Sequence, residues 1–105
     1  MGRTENNPYS EPDIILEEAL QEPKLYRVLL HNDNYTTMEF VISILVEVFH
    51  KSAEQAAAIM LAVHEKGRGV CGVYPHEVAE TKVLMVHSLA RKAGFPLKST
   101  MEEAE

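Results

Sequence analysis

From residue 24 onward the chain alternates between two rhythms of apolar and polar positions, and each rhythm predicts an element. Residues 24–31 put Tyr26, Val28 and Leu30 on one face of a strand and Leu25 and Leu29 on the other. Arg27 interrupts the run, both faces are partly apolar, and such a strand belongs in the middle of a small sheet. From Met38 the period lengthens: Met38, Val41, Ile42, Leu45, Val48 and Phe49 recur at three- and four-residue intervals, with Phe40 and Ile44 widening the arc. This is the pattern of a largely covered helix. Thr36 and Glu39 have the spacing of a capping box at its start, and His50-Lys51 marks its end. Ser52 and Gln55 repeat the box for a second, alanine-rich helix, in which Met60, Val63 and His64 share one flank and which Gly67 stops.

Val70 to Tyr74 reads as a second strand, and Pro75 suits the first position of a third helix with Glu77 and Glu80 near its N-terminal dipole. Val78, Ala79, Val83, Val86, Leu89 and Ala90 form that helix's stripe, ahead of Arg91, Lys92 and Gly94. Leu97, Ser99 and Met101 face one way in a last short strand. The order β-α-α-β-α-β predicts an α+β fold, a small three-stranded antiparallel sheet covered by three helices. Residues 1–23 contain Pro8, Pro12 and Pro23 among Asn, Ser and Glu, with one apolar patch at Ile14, Ile15 and Leu16. They are expected to be a flexible tail ahead of a domain over 24–105.

The 105 residues fit one domain, and 46% apolar with 25% charged residues describes a soluble globular one. A formal charge of −6 with no cluster of Lys and Arg argues against nucleic acid and suits a basic protein partner. No run is long enough to span a bilayer and no signal-peptide pattern opens the chain, so a cytoplasmic, monomeric protein is expected. Cys71 is the only cysteine; it lies in an apolar run, reads as a small buried hydrophobe and leaves no disulfide or cysteine-rich zinc site.

Between the first strand and the first helix stand Asn32, Asp33 and Asn34. Short oxygen acceptors at that junction suit a ligand with an ammonium next to a hydrophobic side chain, the form of a free N-terminal residue; equally, Asn and Asp favour turns by bonding nearby backbone. His64, beside Met60 and Val63, is the histidine expected at such a ligand, whereas His31, His50, His76 and His87 are expected to be solvated. A metal site built from Asp33, His31, His64 and His76 is the enzyme-like alternative, but no His or Cys pair has a ligand spacing, and neither cofactor nor metal is expected. A general interaction domain without an amine pocket is the other.

The runs 25–41 (LYRVLLHNDNYTTMEFV), 60–64 (MLAVH), 71–74 (CGVY), 77–83 (EVAETKV) and 96–102 (PLKSTME) together resemble ClpS, the adaptor that brings N-end-rule substrates to the Clp protease. The resemblance implies a non-catalytic adaptor. It places Asn32, Asp33 and His64, with Asn34 as a further candidate, around a ligand's α-amino group. Thr36, Met38, Val41, Met60, Val63 and Leu97 then line or gate a pocket for a bulky N-terminal side chain (Leu, Phe, Tyr or Trp). Glu77 and Lys82, with Tyr74 and Glu80 as weaker candidates, fall on a surface that meets the N-terminal domain of the ClpA unfoldase. ClpS proteins usually have a second aspartate where this chain has Asn34, and a proline where it has Thr37.

Overall fold

The middle strand sets the frame. In the computed structural model, which describes residues 23–105, β1 (Leu25–His31) is flanked by β2 (Arg68–Pro75) and β3 (Lys98–Ala104), giving the order β2-β1-β3 with both pairings antiparallel. Three helices complete it: α1 (Met38–Glu47), α2 (Ala53–Lys66) and α3 (His76–Ala93). The expected element order and antiparallel sheet are therefore present. The reading of a tail concerns residues that, Pro23 apart, lie outside those described.

Alternation along β1 decides which face is covered. Val28 and Leu30 are fully buried in a core that also takes Val41, Ile44, Leu45, Val48 and Phe49 from α1, Ala56 and Val63 from α2, and Ala79, Val86 and Ala90 from α3. A bulge at Cys71, opposite the Val28–Leu29 step, keeps β2 in phase with that core. Glycine is required twice here by close approach: a methyl on Gly72 would overlap the Tyr74 ring, and one on Gly69 would press on Val63 and the Ile59 carbonyl. Burial pushes the Cys71 thiol up to about 12, so it is neutral at physiological pH and has no nucleophilic character.

Some local expectations are corrected. The N-cap of α1 is Thr37, whose hydroxyl accepts from the Phe40 N–H at 3.1 Å; Thr36 is not the cap because its own N–H and hydroxyl both bond Asp33. The capping box of Ser52 and Gln55 is formed as expected, and Gly67 closes α2 in the left-handed region at φ 89°. Pro75 is the N-cap of α3 rather than its first turn, and Val78, assigned to the buried stripe, is exposed. Three of the histidines expected in solvent have partners. The His31 Nε2 lies 2.7 Å from the Thr100 hydroxyl, His87 Nε2 accepts from the Ser99 N–H at 3.0 Å, and His76 packs edge-on against Tyr26. Cross-strand and helix-to-strand neighbours supply those contacts, which local sequence does not display. His50 is exposed, with φ 56° where the chain turns out of α1.

Candidate functional site

Two features of the backbone bring the β1–α1 junction against the end of α2. The N–H of Asn32 donates to the Gly67 carbonyl at 2.9 Å, extending the β1–β2 pairing by one rung. Gly67 in turn caps α2 with its N–H on the Val63 carbonyl at 3.0 Å. His64 lies one turn before that cap, so the same hydrogen bond that ends the strand fixes the last turns of α2 beside the loop.

Asp33 shapes the loop itself. Its Oδ1 accepts from the N–H groups of Tyr35 (2.8 Å) and Thr36 (2.7 Å), and its Oδ2 accepts from the Thr36 hydroxyl at 2.8 Å. Partial burial pushes its carboxyl up, but the bonds from Thr36 and Tyr35 outweigh this and hold it below the ordinary aspartate value. Asp33 is thus a carboxylate at neutral pH, with lone pairs left for a further donor. Among the described residues the side chains of Asn32, Asn34 and His64 have no hydrogen-bond partner, and all three are exposed.

Loop and helices enclose a cavity of about 440 Å³, lined by Asn32, Asp33, Asn34, Tyr35, Thr36, Thr37, Met38, Val41, Met60, Val63 and His64. Every residue the sequence placed at the amine or the side-chain pocket is in this lining except Leu97, which is 4% exposed in the hydrophobic core just before β3. Tyr35 and Thr37 line it without having been singled out; their only signal was their position between the acceptors and the helix. Met38 opens α1 yet is 57% exposed, so its side chain leaves the buried stripe for the cavity rim. The lining joins a carboxylate, two amides and an imidazole to methionine and valine, a set that can accept hydrogen bonds from a cation while covering an adjacent apolar group.

The other expected surface lies apart. Glu77 and Glu80 are exposed on α3. Lys82 is half-buried: its Nζ donates to the Val48 carbonyl at the end of α1 at 2.6 Å and stands 5.6 Å from the centre of the Tyr74 ring. Among the described residues no group of three or more His, Cys, Asp or Glu side chains is placed to hold a metal ion, and no helix is long and apolar enough to cross a membrane.

Fold and cavity together define a small α+β domain that gathers polar acceptors and apolar side chains in one cavity. Residues 21–100 match the family described as ATP-dependent Clp protease adaptor protein ClpS. The chain is 63% identical to the ClpS of Oleidesulfovibrio alaskensis, over 89% of both chains, and 56% identical to that of Lawsonia intracellularis, over 100% of this chain and 99% of the relative. Its fold is similar to the structure of Agrobacterium tumefaciens ClpS2 bound to L-phenylalaninamide, with a TM-score of 0.76 and 41% identity, covering 79% of this chain and 100% of the other. The chain belongs to the ClpS family; it is an adaptor of the Clp protease and not an enzyme.

Proposed function

We propose that this adaptor captures proteins by a free N-terminal residue that is bulky and hydrophobic (Leu, Phe, Tyr or Trp) and delivers them, in the cytoplasm and as a monomer, to the N-terminal domain of a ClpA-type AAA+ unfoldase. The observation that carries the reading is the single cavity in which Asn32, Asp33, Asn34 and His64 stand with Met38, Val41, Met60 and Val63. L-Phenylalaninamide, the ligand of the A. tumefaciens relative, has the amine and the aromatic side chain this lining suits. In the proposed complex Asp33, Asn32 and His64 accept from the ammonium, with Asn34 at the edge, and the methionines and valines cover the side chain. Glu77 and Lys82, with Tyr74 and Glu80, form the unfoldase-docking surface.

The energies decide what such a site can discriminate. Each charge-assisted hydrogen bond contributes about 1.5–3 kcal/mol, and burying a Leu or Phe side chain contributes about the same again. Association and ordering cost several kcal/mol, which leaves about micromolar affinity for a single residue. Neither half suffices alone. An internal residue offers an amide with one donor and no charge, leaving acceptors that the ligand covers unpaired, so the amine separates chain ends from chain interiors while the pocket's shape selects the residue. Fluorescence anisotropy with a Phe-initiated peptide and its N-acetylated twin tests this: the free amine binds and acetylation lowers affinity at least tenfold. Equal affinity of the two peptides contradicts the mechanism and favours a general interaction domain.

A further inference from the structure

One face of the sheet lies outside the main core cluster. Leu25, Arg27, Leu29 and His31 alternate with the buried Val28 and Leu30 on β1, so they point away from the helices. Their cross-strand neighbours Val70 and Val73 complete an apolar strip on which Leu25 is 42%, Val70 43% and Val73 47% exposed. Leu29, at its centre, is 2% exposed yet stands outside the core cluster. The strip is bordered by cations. Arg27 and Arg68 both reach Glu102, at 3.2 and 3.7 Å, and Lys98 pairs opposite His31, which makes three permanent cations against one carboxylate on a chain whose formal charge is −6.

We propose that this face is a docking surface for the chain's own residues 11–22. That segment reads Glu-Pro-Asp-Ile-Ile-Leu-Glu-Glu-Ala-Leu-Gln-Glu: five carboxylates, no cation, and the apolar side chains of Ile14, Ile15, Leu16 and Leu20. Its signs complement the face, acid against Arg27, Arg68 and Lys98, and its apolar residues match the strip. Its length and point of attachment fit as well. The segment ends one residue before Pro23, at the Leu25 end of β1. Twelve residues even at the helical rise of about 1.5 Å span about 18 Å, close to the length of the seven-residue β1 at about 3.3 Å per residue. Covalent attachment gives a high effective concentration, so contacts too weak to hold a separate peptide hold this one. Docking here leaves the cavity beside α2 open, because the cavity draws its lining from the loop and helices, and the inference does not rest on what that cavity binds.

A spin label on Ser10→Cys in the full chain, with methyl NMR, tests the proposal; Cys71, buried and with a raised thiol pKa, does not compete for the label. The label should at least halve the methyl intensities of Val70 and Val73 while sparing Leu84, which is 63% exposed on α3. Adding Ile15→Asp and Leu16→Asp should restore them. Unchanged sheet-face intensities overturn the proposal, as does broadening centred on Met60 and Val63, which would put the segment in the cavity. Broadening that appears only when labelled, isotopically unlabelled chain is mixed with unlabelled-spin, isotope-labelled chain means the occupant is a second copy, and also overturns it.

Discussion

Asp33 does two things with one carboxylate: it ties the loop through Tyr35 and Thr36, and it supplies the negative charge in the cavity. The substitution that separates these is Asp33→Asn, since an amide oxygen still accepts from the two backbone N–H groups but has no charge. Peptide affinity should fall about tenfold or more, the loss expected for one charge-assisted bond, with little change in melting temperature. His64→Ala should behave likewise, because the exposed imidazole has no hydrogen-bond partner among the described residues. A large drop in melting temperature with intact binding would contradict both assignments. The lowered Asp33 pKa also fixes a pH dependence. Because the folded value lies below the unfolded one, the stabilisation is fully present above the ordinary value of 3.8 and is lost as pH falls through the folded value. Asp33→Asn should therefore have a slightly lower urea midpoint than the wild type, by an amount that is constant from neutral pH down to about 5 and shrinks only in stronger acid. The acceptor residues were legible in the sequence because three short polar side chains stood between two apolar rhythms. That Thr36 serves the loop and Thr37 the cap was not legible, since the capping-box spacing to Glu39 belongs to Thr36 and only the bonds of Thr36 to Asp33 take it out of that role.

At the scale of elements, periodicity was enough to order the strands and helices, and it failed where a residue is claimed by something other than its own helix. Met38 fits the α1 stripe yet sits 57% exposed at the cavity rim. Leu97, a pocket position by the resemblance rather than by periodicity, lies in the core ahead of β3 and outside the cavity lining. Lys82, which the resemblance puts on the unfoldase surface, donates to the Val48 carbonyl that ends α1 and so ties α3 to α1. Consequently Lys82→Ala should lower stability by about 1 kcal/mol or more through the lost hydrogen bond, visible as a lower urea midpoint. Glu77→Ala, exposed and unconstrained, should leave the midpoint within about 0.5 kcal/mol. If Glu77 belongs to the unfoldase surface, its substitution should weaken pull-down by a ClpA-type N-terminal domain while peptide affinity is unchanged. Undiminished pull-down would place that surface elsewhere, and Lys82 alone cannot decide the question because its loss also loosens the packing.

For the whole molecule, one sheet and one hydrogen bond, Asn32 to Gly67, bring two separate stretches of sequence, 32–41 and 60–64, around one cavity. The central claim is that a chain's terminal ammonium and its first side chain are held there together, by the acceptors of the β1–α1 loop and by the methionines and valines of α1 and α2. The direct measurement is an NMR titration of the full chain with L-phenylalaninamide, following the His64 imidazole and the methyls of Met38, Val41, Met60 and Val63. All should shift along one saturation curve, with Leu84 and Val73 stationary, and N-acetyl-L-phenylalaninamide at the same concentrations should leave them in place. Shifts confined to other surfaces, or equal shifts with the acetylated compound, would contradict the account.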